Sequence, residues 1–180
     1  IDSWLIWQLT QEHAFKTDYS NASRTQLMNL KTLAWDEELA GIFGIPMECL
    51  AQICDSDAVY GHTTMNGLFE KPVPICGVLG DSHAALFGQG CLQPGMSKAT
   101  YGTGSSLMMN IGGQPIPSSH GVVTSLAWKH KGRVDYVLEG NLNYTGAVIT
   151  WLKKDVGLIG SAGETESLAT AANPADRTYL

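Results

Sequence analysis

The strongest constraint on the fold is a continuous apolar segment, residues 73–79, which ends at Gly80 and leads directly into a helical pattern. The segment reads Val-Pro-Ile-Cys-Gly-Val-Leu and shows no alternation between apolar and polar positions. Such a run is typical of a strand buried on both faces of a parallel or mixed sheet. The pattern therefore predicts an α/β fold, with a helix over residues 82–89 immediately after the strand.

Asp81 stands at the junction between this predicted strand and the predicted helix. In open α/β sheets, ligands bind beyond the carboxyl ends of the strands. The positive end of a helix dipole also keeps a carboxylate ionised. A plain helix cap would suit the same position, so Asp81 taken by itself allows both a functional and a structural interpretation.

Periodicity and turn residues predict the remaining elements. Helices are expected over residues 1–9, 36–44, 46–53, 145–156 and 164–172, and strands over residues 14–18, 97–101, 105–111, 121–128 and 133–139, with a turn at 129–132. Asp36 is the expected N-cap of the 36–44 helix and Gly44 its stop. The change to short consecutive strands predicts a domain boundary near residue 92, which divides the chain into residues 1–92 and 93–180.

A second motif, Gly102-Thr103-Gly104, lies between two of the predicted strands. Glycines that supply positive φ make a plain β-turn one interpretation. The alternative is a phosphate-binding turn, in which backbone N–H groups face the anion and the Thr103 hydroxyl adds a donor. Gly146 begins a later predicted helix, where free N–H groups favour anions, although a tight helix start is the preferred explanation of this glycine taken alone. The Walker pattern is absent, so a nucleotide site would belong to another fold.

Composition excludes several classes of partner. The 180 residues include 11 basic and 17 acidic side chains, for a net charge of −6, and no basic stripe that could bind nucleic acid. No apolar run approaches the ~20 residues of a membrane span. Four cysteines at unrelated spacings suggest reduced thiols in a cytoplasmic protein. Ile1 already lies inside a helical pattern and residues 177–180 resemble the start of a strand, so a fragment of a longer enzyme is expected.

A competing enzyme hypothesis comes from Ser82. The sequence Gly80-Asp81-Ser82-His83-Ala84 differs by one residue from the Gly-x-Ser-x-Gly nucleophile elbow and lies at a predicted strand-to-helix turn. The final glycine is missing, and three adjacent residues cannot form a Ser-His-Asp triad because their side chains diverge. A serine hydrolase with Ser82 as nucleophile remains the alternative at this point.

Several segments, in order along the chain, carry a resemblance to a known family. They are residues 2–7, 17–25, 80–89 (GDSHAALFGQ), 98–104 (KATYGTG), 138–140 (LEG) and 146–152 (GAVITWL). This set resembles the FGGY carbohydrate kinases, and within them the glycerol kinase and xylulokinase-like branches. The resemblance implies a ribonuclease-H-like (actin-like ATPase) architecture of two α/β domains, only partly present here. Residues 1–92 would end the sugar-binding domain and residues 93–180 would begin the nucleotide-binding domain.

The resemblance also implies roles for individual residues. Asp81 corresponds to the general base, which contacts the sugar or polyol and holds Mg²⁺ through water. Gly102, Thr103 and Gly146 correspond to positions beside the ATP phosphates. Thr150 stands where glycerol kinases have a glutamine near the nucleotide. ATP and Mg²⁺ are therefore the expected cofactors, and a sugar or polyol is the expected small-molecule partner.

Two departures from the glycerol kinase pattern concern the substrate. Ser82 replaces a glutamine that follows the catalytic aspartate, and Ser106 replaces a phenylalanine that packs against the glycerol carbons. Smaller polar side chains at both substrate-binding positions leave room for a larger, more hydroxylated compound. We therefore expect a ketose such as a pentulose as the first substrate, with glycerol second.

Much of such a site would lie outside these 180 residues. The chain alone is therefore expected to be inactive, as a folded domain without turnover. Apolar surface exposed by truncation would favour self-association into a homo-oligomer.

Overall fold

The computed structural model describes residues 1–175, so the strand predicted near residues 177–180 lies outside the described residues. The chain forms two compact units. The first unit comprises residues 1–98 and 107–140, and the second comprises residues 99–106 and 141 onward. The predicted boundary near residue 92 stays a prediction.

The elements follow in chain order. The helices are α1 (Asp2–Leu9), α2 (Tyr19–Ala22), α3 (Glu37–Phe43), α4 (Asp81–Gly88), α5 (Gly146–Trp151) and α6 (Glu164–Ala171), with a 3₁₀ turn at Met47–Cys49 and a π-helical continuation of α5 at Leu152–Val156. The strands are β1 (Lys16–Asp18), β2 (Met28–Asn29), β3 (Ala34–Trp35), β4 (Gln52–Cys54), β5 (Gly61–Thr63), β6 (Val73–Ile75), β7 (Ser97–Tyr101), β8 (Ser105–Gly112), β9 (Val123–His130) and β10 (Arg133–Leu142). Within the described residues, no helix has the length and apolar character that crossing a membrane requires.

Among residues 1–175, the largest sheet has four strands in the order β7-β8-β10-β9. Strands β9 and β10 are antiparallel and meet at a tight turn in which Lys131 and Gly132 have φ angles of 50° and 76°. Positive φ at both central residues is the usual geometry of a two-residue hairpin. The predicted turn at 129–132 was therefore too long, because β9 continues to His130.

The core of the first unit lies on both faces of this sheet. Leu126 and Tyr136 pack with buried residues of α2, whereas the next residues along each strand, Ala127 and Val137, pack with Leu86 of α4. Successive strand residues point to opposite faces, so each strand supplies both clusters. Helices α2 and α4 are thereby anchored against two buried clusters that share the same strands.

Two sequence predictions are wrong here. Only Val73–Ile75 of the apolar segment forms a strand, and it pairs antiparallel with β5 in a two-stranded sheet. Val73 and Pro74 are exposed, not buried on both faces. Pro74 has no N–H to donate, which restricts such a strand to the edge of a sheet.

The predicted helix over residues 46–53 is also absent, since Pro46 is followed only by the single 3₁₀ turn. Residues 52–54 instead form β4, which pairs in parallel with β1, with Thr17 opposite Ile53. A β-branched residue suits this extended pairing. The predicted parallel pairing therefore exists, but between other segments.

The helix signals at residues 36–44 are confirmed. The Asp36 carboxylate accepts hydrogen bonds from the N–H groups of Glu38 and Leu39, both at 3.1 Å. Gly44 ends the helix in the left-handed conformation, with φ of 66°. The predicted helices at 1–9, 82–89, 145–156 and 164–172 are likewise confirmed to within a few residues.

Candidate functional site

Asp81 is the first residue of α4, and its side chain is exposed. The N-cap position belongs to Gly80, so the aspartate is not the cap of this helix. Asp81 Oδ1 accepts a hydrogen bond from the N–H of Ser82 at 2.6 Å, which orients the carboxylate at the positive end of the helix. The structure thus removes the plain N-cap interpretation and leaves an accessible, oriented carboxylate.

Buried residues fix the backbone before Asp81. The N–H of Gly80 donates to Ser20 Oγ at 2.8 Å, and a Cβ at Gly80 would lie 2.9 Å from Nδ1 of His83. Glycine is therefore needed at this position because the histidine ring leaves no room for a side chain. Burial lowers the pKa of His83, while the negative charges of Glu139 and Asp18 act in the opposite direction.

The geometry around Ser82 does not support a serine hydrolase. Ser82 lies inside α4 and not on a strained turn, and its half-buried side chain follows Asp81 in a regular helix. The ring of His83 is buried, and its Nε2 atom has no hydrogen-bond partner among the described residues. No Ser–His pair of the kind that activates a nucleophile is therefore formed by these two residues.

The turn 102–104 packs directly against the start of α5. The N–H groups of Thr145 and Ala147 donate to the carbonyl oxygen of Thr103 at 3.0 and 3.1 Å, and the N–H of Gly146 donates to the carbonyl of Gly102 at 2.9 Å. A Cβ at Gly146 would lie 2.5 Å from that Gly102 oxygen. The expectation of free N–H groups at this helix start is wrong for these three residues, because the turn already occupies them.

Two hydroxyl groups strengthen this junction and were missed from the sequence. Thr145 Oγ1 donates to the carbonyl of Gly102 at 3.1 Å and lies 2.9 Å from Oγ of the buried Ser105. A threonine immediately before a glycine at a helix start was the available signal, since threonine favours the cap position. Its hydroxyl here bonds to the turn and does not cap its own helix.

The other three predicted site residues, Thr103, Thr150 and Ser106, have hydroxyl side chains that are exposed or half-buried. The side chain of Thr103 is exposed at the tip of the turn, and the exposed Thr150 hydroxyl donates to the carbonyl of Gly146 at 3.4 Å. Ser106 is half-buried in β8. Asp81 and Ser82 belong to the first unit, whereas Gly102, Thr103, Ser106, Gly146 and Thr150 belong to the second.

Asp18 is the main residue of this region whose importance sequence reasoning missed. It is completely buried, and its carboxylate accepts hydrogen bonds from Ser20, Asn21 and Ser56. The sequence predicted residue 18 only as the end of a strand, and residues 17–25 entered only as one of the segments that resemble the family. The signal was an aspartate directly before a short Ser- and Asn-containing helix, which is an N-cap pattern.

A Mg²⁺ ion at Asp81 would need most of its ligands from phosphates and water. Within residues 1–175, no group of three or more His, Cys, Asp or Glu side chains could hold a metal ion. Phosphate-transferring sites usually bind Mg²⁺ through one or two carboxylates, with substrate phosphates and water as the other ligands. The single exposed carboxylate of Asp81 is compatible with that arrangement.

Comparison with known proteins gives consistent matches. Models of the FGGY family of carbohydrate kinases match the chain twice, the N-terminal domain over residues 1–88 and the C-terminal domain over residues 97–178. Glycerol kinase of Stenotrophomonas maltophilia (strain R551-3) is 46% identical over 180 residues, which are 100% of this chain and 36% of that protein. Glycerol kinase 1 of Thermotoga maritima is 49% identical over the same lengths. The chain thus spans about a third of the length of these relatives.

Solved structures agree with these matches. The crystal structure of Plasmodium falciparum glycerol kinase with ADP aligns with a TM-score of 0.87 and 34% identity, over 95% of this chain and 34% of that one. A ligand-bound xylulose kinase from Lactobacillus acidophilus aligns with a TM-score of 0.78 and 22% identity, over 95% and 34% of the two chains. The predicted α/β fold class, of the ribonuclease-H-like (actin-like ATPase) type, is confirmed by this likeness.

Proposed function

Because this chain belongs to the FGGY family of carbohydrate kinases, we propose that it supplies the catalytic base and part of the phosphate-binding surface of an ATP-dependent polyol or sugar kinase. The observation that carries the proposal is the exposed carboxylate of Asp81, oriented at the first residue of α4. A group in this position is accessible to the hydroxyl of an incoming substrate.

Phosphoryl transfer does not require Asp81 to be a strong base. Phosphoryl transfer passes through a loose transition state, in which positioning and charge neutralisation provide most of the rate enhancement. Asp81 orients the attacking hydroxyl and accepts its proton late in the transfer. Bound Mg²⁺ would neutralise charge on the phosphates, and Asp81 would contact that ion through water.

We assign the phosphate side to the junction of the turn with α5. Gly146 allows the start of α5 to meet the backbone of Gly102, and this fixes the turn that presents the Thr103 hydroxyl. Since the amides of residues 145–147 are bonded to the turn, the side chain of Thr103 carries the main phosphate contact here. Thr150 provides a second donor when its exposed hydroxyl turns away from the carbonyl of Gly146, to which it donates at 3.4 Å.

Glycerol is the substrate that we propose first. The preference for a pentulose, which was expected from Ser82 and Ser106, is not supported. The relatives described above at 46% and 49% identity are glycerol kinases, whereas the xylulose kinase at 22% identity shows only a shared fold. Ser82 and Ser106 remain the proposed substrate-side residues. The cytoplasmic location and the self-association stay predictions.

Turnover can be measured in a full-length host, here termed the grafted kinase. In it, these 180 residues replace the matching segment of the Thermotoga maritima glycerol kinase 1, to which they are 49% identical. We expect ATP-dependent phosphorylation of glycerol, and we expect Asp81→Asn to lower kcat by about 10²–10⁴-fold. Binding of glycerol should persist, since the amide keeps the size of the side chain.

Glu37→Gln provides the matched control, because Glu37 is an exposed acid at the start of another helix, α3. It should leave kcat unchanged. A grafted kinase in which Asp81→Asn turns over as fast as Glu37→Gln would overturn the assignment of the base.

A further inference from the structure

We propose that Asp18 is a positioning residue, which fixes the backbone that carries Asp81 through the side chain of Ser20 and through Ser56. This inference rests on the proposed function, because it takes Asp81 as the base. Asp18 lies at the N-cap of α2 and is completely buried. Its position in the chain, more than sixty residues before Asp81, gives no hint of this connection.

The Asp18 carboxylate collects five hydrogen bonds. Oδ1 accepts from Ser20 Oγ at 2.9 Å, from the Asn21 N–H at 2.9 Å and from Asn21 Nδ2 at 2.8 Å. Oδ2 accepts from the Ser20 N–H at 3.0 Å and from Ser56 Oγ at 2.9 Å. Every contact is a donor aimed at an oxygen, so the site suits an ionised carboxylate, which only accepts.

The two serines connect this carboxylate to the segment that precedes α4. Ser20 Oγ, while donating to Asp18, accepts the N–H of Gly80 at 2.8 Å. The backbone carbonyl of Ser56 accepts the N–H of Val78 at 3.0 Å. The amides of residues 78 and 80 are thus held by two residues whose hydroxyl groups meet on one buried carboxylate.

These hydrogen bonds hold in place the backbone that precedes the proposed base, Asp81. Gly80 has no side chain to anchor it, and the ring of His83 prevents one from being added. Its position is set instead by the hydrogen bond to Ser20. Misplacement of a reacting group by about 1 Å can cost ~10²-fold in rate, so loosening this bond should act on turnover.

A purely structural role of Asp18, as the cap of α2, can be separated from the positioning role. Ser20→Ala removes the hydroxyl that links Asp18 to Gly80, but it keeps the capping bonds from the N–H groups of Ser20 and Asn21. Ser23→Ala is the matched control. Ser23 Oγ donates to the carbonyl of Ser20 at 3.0 Å and accepts the N–H of Leu126 at 3.2 Å.

The test compares these variants in the grafted kinase, with Asp81→Asn measured in parallel. We expect Ser20→Ala to lower kcat by about 10–100-fold with an unchanged KM for ATP, at a Tm no lower than that of Ser23→Ala. Ser23→Ala should lower Tm and leave kcat near the wild-type value. If Ser20→Ala does not fold, Ser56→Ala replaces it, with a smaller expected loss of kcat and the same constant KM.

The outcomes distinguish the inference from its premise. An inactive Asp81→Asn together with a Ser20→Ala that keeps the kcat of Ser23→Ala overturns the positioning role alone. An Asp81→Asn with wild-type kcat overturns the proposed base, and the positioning role with it. A selective loss of kcat in Ser20→Ala beside an inactive Asp81→Asn supports both.

Discussion

Gly146 and Gly102 meet backbone to backbone: the N–H of Gly146 donates to the carbonyl oxygen of Gly102 at 2.9 Å, and a Cβ at Gly146 would lie 2.5 Å from that oxygen. Two motifs that lie more than forty residues apart in the sequence therefore form one junction in the second unit. The glycine at the start of α5 is explained by this contact before any ligand is considered.

Gly146→Ala should consequently destabilise the protein. In an unhindered helix this substitution is favourable by about 1 kcal/mol, but here the new methyl group must displace the backbone of Gly102. We expect overpacking to cost about 1–3 kcal/mol in the free energy of unfolding and to weaken ATP binding. Thermal unfolding and calorimetric titration of the grafted kinase with ATP would measure both.

Gly88→Ala is the matched control for this effect. A Cβ at Gly88, at the end of α4, would meet nothing within 4 Å. Its Tm should equal or exceed that of the parent. An equal or higher Tm for Gly146→Ala as well would show that the Gly102–Gly146 junction tolerates a side chain, contrary to the structure.

The paired variant Ser82→Gln/Ser106→Phe should shift substrate preference toward glycerol. The glutamine reduces the space beside the Asp81 carboxylate, and the phenylalanine reduces the space on β8. Both changes disfavour a longer, more hydroxylated substrate. We expect the ratio of kcat/KM for glycerol to that for a pentulose to rise by about 10-fold in the grafted kinase. Leu107→Phe, which enlarges an exposed neighbour on β8, should leave the ratio unchanged. A ratio that does not move in the paired variant would remove both serines from the substrate side.

His83 should make stability sensitive to mild acid. Burial holds its pKa below the usual 6.5, although the nearby acids Glu139 and Asp18 oppose this effect and the cations Arg24 and Lys98 reinforce it. The folded state therefore resists protonation of His83 more than the unfolded state does. The contribution of neutral His83 to the free energy of unfolding is complete above about pH 6.5 and is lost as the pH falls below that value.

His83→Asn should accordingly lose less stability between pH 7 and pH 5 than the parent does, as measured by urea unfolding at each pH. His120→Asn, which changes an exposed histidine, should follow the parent. Identical pH slopes for the parent and His83→Asn would show that this histidine titrates as it does in the unfolded chain.

Short sequence signals were sufficient to predict elements whose ends are set by residues a few positions apart. Asp36 and Gly44 bound α3 because capping acts between residues a few positions apart. The helix predicted over residues 46–53 does not form because pairing with β1, more than thirty positions away, outweighs the helix signal of Pro46. The buried strand predicted over residues 73–79 was wrong because a uniformly apolar segment looks the same in sequence whether it is buried or, as here, confined by a proline to the edge of a sheet.

The site shows the same division. Asp81 could be singled out from the predicted start of its helix, and Thr103 from its glycine neighbours, but their roles follow only from the family resemblance and stay predictions. The bond between Ser20 and Gly80 could not be predicted, since a buried hydroxyl has the same appearance in sequence as an exposed one. The burial of Glu139, which pairs with Arg24 at 3.1 Å, was not predicted because charged residues are usually assigned to the surface.

The 180 residues alone should bind ATP only weakly and show no turnover. The amides at the start of α5 are bonded to the turn, so the hydroxyl groups of Thr103 and Thr150 are the side-chain phosphate contacts that we assign to this junction. Neutral hydroxyl groups contribute about 1 kcal/mol each, so two of them give about 2 kcal/mol and a Kd of tens of millimolar. Calorimetric titration with ATP and Mg²⁺ measures it, and Thr103→Ala should weaken binding further. Micromolar affinity that survives Thr103→Ala would mean that the nucleotide binds elsewhere on the chain.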